Sequence, residues 1–159
     1  YTFGILVIFR LAAHVPVRAF PTAQVAVLSP MRTFWEKATL IHVECHRPDL
    51  RAGAERLSRH WYDLARLADH EVGRRALADT ELLRDVLRIK ETFYRSGFSH
   101  YELCQTGGLR LIPDAALLNA LQRDYQAMLD AQMFYGETLV FDRIVERLIA
   151  LEGEINHQL

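Results

Sequence analysis

The chain has 159 residues, of which half are hydrophobic and a quarter charged, and its formal net charge is −1. This composition fits one soluble globular domain and excludes a global positive field that would draw the chain to nucleic acid. The two cysteines have no CxxC partner and form no disulfide framework, which favours a reducing, cytoplasmic location.

The chain begins with an apolar run at residues 1–9. This run is too short to span a membrane, and it lacks the basic lead and cleavage site of a signal peptide. Its continuous apolarity predicts a buried strand over residues 2–9, with a second short strand at residues 25–28. Two strands alone are marginal in water, so we expect them to belong to a larger sheet or to pair in a homo-oligomer through the N-terminal strand. Because the chain starts without Met, we expect residues upstream.

Helical periodicity begins at Ser29, which can cap a helix, and Pro30, which suits its first position. The apolar stripe predicted for this first helix is Met31, Phe34, Trp35, Ala38, Ile41 and Cys45. Pro48 and Gly53 bound a loop. A second helix is predicted from about residue 55 to 68, with four inward residues: Leu57, Trp61, Leu64 and Ala68.

The rest of the chain is also predicted to be helical, with a short turn at residues 71–78 and helices over about 81–95, 113–130 and 138–156. Asp79 or Thr80 can cap the helix at 81–95. Its inner side is predicted to hold Leu82, Leu83, Val86, Ile89, Lys90 and Phe93. Residues 109–112 are predicted to be briefly extended. We therefore expect a single domain over residues 1–159 that is mainly α with a small β element at the N-terminus: strands within 1–29 and helices over 30–159.

A row of polar residues lies along one face of the second helix at spacings of four, three and four: Arg59, Asp63, Arg66 and His70. On the first helix, Lys37 stands near the N-terminus, which the helix macrodipole makes unfavourable for a cation. It must therefore be solvated, paired with Glu36 or Asp63, or placed to meet an anion. Neighbouring helices can offer Lys37 and Asp63 to a common point. The alternative is a solvated pair between Arg59 and Asp63, worth about 0.3–0.5 kcal/mol.

Two other patterns could carry chemistry. His42 and His46 are four residues apart and could bind one metal, with His60 or His70 as a third ligand, although the spacing is not HExxH. The alternative is a polar helix face with Cys45 buried. Four aromatic residues could stack bases, but their helical spacing is more typical of a core: Phe93, Tyr94, Phe98 and Tyr101. The sequence contains no nucleophile elbow and no Walker loop.

Two stretches carry a resemblance to a known family. Residues 28–37 read Leu-Ser-Pro-Met-Arg-Thr-Phe-Trp-Glu-Lys, and residues 56–64 read Arg-Leu-Ser-Arg-His-Trp-Tyr-Asp-Leu. Together with Leu40-Ile41-His42, they resemble the C-terminal half of the AbiEii/AbiGii nucleotidyltransferase toxins of toxin–antitoxin and abortive-infection systems. The resemblance continues at positions nearer the C-terminus: Arg110-Leu111-Ile112-Pro113, Asp124-Tyr125, Met128, Leu151-Glu152 and Asn156.

The resemblance implies the helical C-terminal part of a polymerase-β-like nucleotidyltransferase. It implies a nucleoside triphosphate (NTP) and Mg²⁺, transfer of nucleotides to tRNA ends, and a cognate antitoxin as partner. By this resemblance, Lys37 matches the lysine that faces the nucleotide phosphates, and Asp63 matches the catalytic acidic residue of the last motif. Arg59 matches the basic residue that begins that motif. Arg32 lies in the same run as Lys37 and is grouped with the nucleotide-binding residues.

One departure limits the expected activity. The family's Gly-Ser turn and its Asp-x-Asp pair are absent, and no Asp precedes Asp49. Those carboxylates hold the Mg²⁺ that neutralises the transferring phosphate. We therefore expect this chain to be inactive and without cofactor on its own, as a truncated piece or a degenerate gene remnant. The alternatives are a non-catalytic helical module that docks an antitoxin or partner subunit, and a metal-binding helical regulator built on His42 and His46.

Overall fold

The computed structural model describes residues 26–48 and 55–159, and the regular secondary structure in these ranges is helical. The elements follow in chain order: α1 (Pro30–Cys45), α2 (Arg59–Ala68), α3 (Glu71–Leu77), α4 (Thr80–Phe93), a 3₁₀ helix (Tyr101–Gln105), α5 (Ala115–Asp130) and α6 (Phe141–Gln158). The mainly helical prediction is confirmed for the described residues.

The small β element predicted at the N-terminus is not seen in the part of the chain that the structure describes. Residues 26–29 have no regular secondary structure and lead directly into α1. Val27 and Leu28 are 47% and 64% exposed, so they lack the packed neighbours that a strand requires. The strand predicted at residues 2–9, and any oligomer formed through it, lie outside the described residues.

The helix starts follow local chemistry. Helix α1 begins at Pro30, as predicted. The predicted cap of α4 is confirmed, since the Asp79 carboxylate accepts a hydrogen bond from the Leu82 N–H at 3.0 Å. Helix α2 begins at residue 59 rather than 55, because Arg56 has a φ of +63°, which a helix cannot contain.

The core lies between α1 and α2 and the helices that pack against them. Helix α1 contacts α2, α3 and α4, while α2 also contacts α3 and α6. The buried apolar side chains of α1 and α2 include most of the predicted stripes: Phe34, Trp35, Ala38, Ile41, Trp61, Leu64 and Ala68. Three predicted members, Met31, Cys45 and Leu57, are partly buried at the edge of the core.

The inner side of α4 differs from the prediction. Leu83 and Val86 are buried as expected, but Ile89 and Phe93 are 37% and 74% exposed. Leu87 is buried in their place. Lys90, also predicted on the inner side, is 13% exposed and bonds to Glu36 of α1, so the prediction is wrong only for Ile89 and Phe93.

Both tryptophans join the two central helices to other elements. Trp35 donates its indole N–H to the Ala76 carbonyl at 3.1 Å, which ties α1 to the end of α3. Trp61 donates to the Leu111 carbonyl at 2.9 Å, which ties α2 to residues 109–112. A buried indole needs such an acceptor because an unpaired N–H is costly away from water.

Residues 109–112 contain no strand, and their backbone is bound by α6 side chains. The Asn156 amide donates to the Leu109 carbonyl and accepts from its N–H, both at 2.9 Å. The Glu152 carboxylate accepts from the N–H groups of Leu111 and Ile112. These bonds replace the ladder that a neighbouring strand would supply, and they give Glu152 and Asn156 a structural role.

Helix α2 is fixed at both ends by side chains of distant helices. At its start, the Asp124 carboxylate of α5 accepts from the backbone N–H groups of Arg56 and Ser58, at 2.7 and 2.8 Å, and from the Ser58 hydroxyl. At its end, Arg147 of α6 donates to the Ala68 carbonyl at 3.1 Å and pairs with Asp69. The Ser58 side chain makes no cap of its own, so Asp124 supplies the missing acceptor.

We predict that Asp124→Ala lowers the free energy of unfolding by about 2–3 kcal/mol, because it leaves the buried Ser58 donors without an acceptor. Urea denaturation measures the change. Asp130→Ala on the same helix is the matched control, since Asp130 is exposed and its carboxylate bonds, among the described residues, to the Gln126 amide. It should cost less than about 0.5 kcal/mol. Equal losses in the two variants would contradict the assigned role of Asp124.

Candidate functional site

Lys37 and Asp63 meet between α1 and α2. The Lys37 Nζ atom donates to the Asp63 Oδ2 atom at 2.7 Å, and the two side chains are 18% and 34% exposed. This contact confirms that neighbouring helices bring the two residues to a common point. Asp63 pairs with Lys37, and the solvated pair with Arg59 that the spacing also allowed is not formed.

The position of Lys37 in its helix differs from the expectation. Helix α1 begins at Pro30, so Lys37 lies near the middle of the helix rather than just after its first turn. The macrodipole acts mainly within the first and last turns, so it does not explain the environment of Lys37. The carboxylate of Asp63 is what places the ammonium.

His60 completes the contact. Its Nδ1 atom lies 3.4 Å from the Lys37 Nζ atom, and it stands one turn before Asp63 on α2. A lysine ammonium only donates, so Nδ1 is the acceptor and the ring proton is on Nε2. Burial, followed by the charges of Lys37 and Arg59, lowers the pKa of His60 and favours this neutral form.

The sequence predicts a role for His60 only as a possible third metal ligand. Its spacing of three residues from Asp63 was the available signal, because residues at i and i+3 share one helix face. That spacing directs the acceptor atoms of His60 and Asp63 toward the same neighbouring side chain. The sequence alone did not show that this neighbour is Lys37.

Arg32 and Arg59 are not brought into the contact. Arg32 lies 3.5 Å from Glu36, whose other carboxylate oxygen binds Lys90 of α4 at 2.8 Å. Glu36 therefore forms an ion pair with a residue of α4, whereas Lys37 forms one with a residue of α2. Arg59 is exposed at the first turn of α2, one turn before Asp63. Its positive charge nevertheless contributes to the lowered pKa of His60.

His42 and His46 have structural roles: their rings pack together, and the His46 Nδ1 atom lies 2.9 Å from the His42 carbonyl oxygen. The His42 Nδ1 atom accepts from the Arg110 N–H at 3.0 Å, and its Nε2 atom donates to the His100 carbonyl at 3.1 Å. Both ring nitrogens of His42 therefore form hydrogen bonds, and neither has a free lone pair that could bind a metal. Burial is the main cause that lowers the pKa of His42 to about 4. Within residues 26–48 and 55–159, no group of three or more potential ligands could hold a metal ion.

The described residues also do not fit a Mg²⁺ ion. Mg²⁺ prefers carboxylate oxygens in a near-ideal octahedron. At the Lys37 contact, the Asp63 carboxylate already binds the ammonium through Oδ2. An Asp-x-Asp pair occurs nowhere in the sequence.

The four aromatic residues separate into two groups. Tyr101 is buried, as expected of a core residue, and Phe98 lies beneath the Arg47 guanidinium at 4.6 Å. Phe93 and Tyr94 are 74% and 66% exposed, so the prediction that they belong to the core is wrong. They lie at the C-terminal end of α4, beyond the point where the core-facing residues of that helix stop.

Comparison with known proteins agrees with these motifs. Nucleotidyl transferase toxins of type IV toxin–antitoxin systems match residues 5–147, which is most of the chain. The chain belongs to this family, the AbiEii toxins, and the resemblance carried by residues 28–37 and 56–64 is confirmed. Membership of a toxin–antitoxin family implies a cognate antitoxin. No curated protein and no solved structure matches the chain. In the described residues, none of the helices has the length and apolarity to cross a membrane.

The low pKa of His42 gives a prediction for stability. The pKa falls from 6.5 to about 4 on folding, so the stabilisation is fully present above pH 6.5 and is lost as the pH falls through about 4. The pH-dependent part amounts to about 3 kcal/mol. Urea denaturation of wild type and His42→Gln at pH 7 and pH 4 measures it, because Gln does not titrate. His157→Gln, at an exposed position, is the control.

The stability difference between wild type and His42→Gln should shrink at pH 4, whereas that of the control should stay near zero at both values. A difference for His42→Gln that does not change with pH would show that His42 is not held neutral by its surroundings.

Proposed function

We propose that this chain contributes the nucleotide-binding part of a nucleotidyltransferase toxin, which transfers nucleotides from an NTP to a tRNA acceptor in the cytoplasm. The observation that carries the proposal is the Lys37 ammonium, held 2.7 Å from Asp63 and 18% exposed, in a chain of this family. A lysine placed in advance and still partly exposed is suited to bind a phosphate oxygen, because charge-assisted bonds of this kind are short and strong.

Lys37 is the proposed phosphate-binding cation. Its ammonium has three donors, and the described residues use two of them, toward Asp63 and His60. The third remains for a phosphate oxygen. Arg59 is proposed to add positive charge near the phosphates, since it is exposed one turn before Asp63. A nucleotide-binding role for Arg32 requires its release from Glu36.

Asp63 is the proposed catalytic carboxylate. Its Oδ2 atom binds Lys37, while Oδ1 has no hydrogen-bond partner among the described residues. The side chain is 34% exposed, and Oδ1 is the proposed acceptor of the proton that an acceptor hydroxyl must lose. Mg²⁺ supplies charge neutralisation at the transferring phosphate in this chemistry. Because the described residues do not fit it, we propose that its ligands come from elsewhere in the protein, and that this chain alone does not catalyse transfer.

A second candidate is a non-catalytic helical module that docks the antitoxin or a partner subunit. The adjacent Phe93 and Tyr94 side chains favour it, because they are 74% and 66% exposed at one end of α4. Exposed aromatic pairs of this kind are enriched at protein interfaces. This candidate predicts that toxicity survives the loss of Lys37.

We predict that Lys37→Ala weakens NTP binding about ten- to hundredfold, because it removes a charge-assisted contact worth about 1.5–3 kcal/mol. Isothermal titration calorimetry with ATP, GTP, CTP and UTP in turn measures the affinity, using the protein expressed from its complete gene. Growth of cells that express each variant without the antitoxin measures toxicity, which should be lost. Lys90→Ala is the matched control, since that lysine pairs with Glu36 and lies apart from Asp63.

Asp63→Asn should separate binding from transfer. It keeps the shape of the side chain and removes the carboxylate charge, so NTP binding should change by no more than a few-fold while nucleotide transfer to tRNA is abolished. Full toxicity in both Lys37→Ala and Asp63→Asn would refute the proposed site and would leave the docking module as the better account.

A further inference from the structure

We propose that His60 is a positioning residue for Lys37: its Nδ1 atom accepts one ammonium N–H and thereby directs a remaining N–H toward a phosphate oxygen of the nucleotide. This inference rests on the proposed function, because it concerns the same site. It assigns a role to a histidine whose spacing from Asp63 places it on the same face of α2.

The geometry defines the direction of the ammonium. The Nζ atom has two acceptors from successive turns of α2, Asp63 Oδ2 at 2.7 Å and His60 Nδ1 at 3.4 Å. The three N–H bonds of an ammonium are arranged tetrahedrally about nitrogen, so two occupied directions determine the third. The ammonium turns about its Cε–Nζ bond, and two acceptors hold this rotation more firmly than the Asp63 carboxylate alone. Fixing a lysine before the ligand arrives reduces the entropy lost on binding.

The neutral charge of the second acceptor suits a site for phosphate. The Lys37–Asp63 pair has a net charge of zero, and a second carboxylate in place of His60 would make the cluster negative. Such a cluster would repel a triphosphate. A neutral imidazole also accepts a hydrogen bond from the ammonium, more weakly than a carboxylate does, and it adds no negative charge.

The surroundings of His60 favour its neutral form. Charged groups face it from both helices: Lys37 and Glu44 on α1, and Arg59 and Asp63 on α2. Burial and the two cations lower the pKa of His60, against a smaller opposing effect of the carboxylates. The neutral ring is therefore favoured at neutral pH, and Nδ1 accepts from Lys37 in the tautomer that carries the proton on Nε2. Protonation would turn the acceptor into a cation beside Nζ.

Two substitutions test this role. His60→Asn keeps an acceptor oxygen near the position of Nδ1, whereas His60→Leu removes the acceptor and keeps an apolar side chain. We expect His60→Leu to weaken NTP binding about tenfold and His60→Asn to stay within about threefold of wild type. The measurement is isothermal titration calorimetry with each of the four ribonucleoside triphosphates, on the protein expressed from its complete gene.

A double variant gives the readout that a purely structural role would not change. If His60 acts through Lys37, His60→Leu should have no further effect on NTP binding in a Lys37→Ala background. Additive losses in the double variant, or equal losses in His60→Asn and His60→Leu, would overturn the inference. If Lys37→Ala itself leaves binding unchanged, the proposed function fails instead, so the two failures are distinct.

Nitrogen chemical shifts of the wild-type protein provide an independent test that needs no variant to fold. In ¹⁵N-histidine-labelled protein at pH 7, His60 should show a protonated Nε2 and an unprotonated Nδ1. A proton on Nδ1 would overturn the inference, because that atom could not accept a bond from Lys37.

Discussion

The packing of α1 against α2 is the constraint on which the described fold depends. Helices α3 and α4 pack on α1, and α6 packs on α2, so each takes its place from this central pair. The buried side chains of Phe34, Trp35 and Trp61 fill the space around it. Burial of aromatic side chains of this size contributes several kcal/mol, which is comparable with the whole net stability of a small domain. The same packing brings Lys37 to within reach of α2.

Many residues that carry the family resemblance have structural roles. Trp35 and Trp61 donate hydrogen bonds to backbone carbonyls. Three further side chains bond to backbone groups outside regular secondary structure, which have no helix or sheet partner: Asp124, Glu152 and Asn156. They hold the ends of α2 and the segment at residues 109–112. Among the residues of the two resembling stretches, Lys37, Asp63 and His60 converge at a partly exposed point.

The sequence predicted the two central helices well because their apolar residues recur at strict helical spacing and a proline marks the first start. The contact between Lys37 and Asp63 could also be predicted from the sequence, because the two residues lie on helices that were expected to be neighbours. The exposure of Phe93 could not be predicted, because periodicity shows which face of a helix is apolar but not where the neighbouring helix ends. The role of His60 required knowledge of which side chain faces α2. The start of α2 was shifted by one residue with a positive φ, Arg56, which no local pattern indicated.

The most direct test of this account is a crystal structure of the protein, expressed from its complete gene, with a non-hydrolysable nucleoside triphosphate and Mg²⁺. The account predicts a phosphate oxygen about 3 Å from the Lys37 Nζ atom, with the bonds from Nζ to Asp63 and His60 retained. A triphosphate bound elsewhere, with the Lys37 ammonium directed only to Asp63 and solvent, would contradict it.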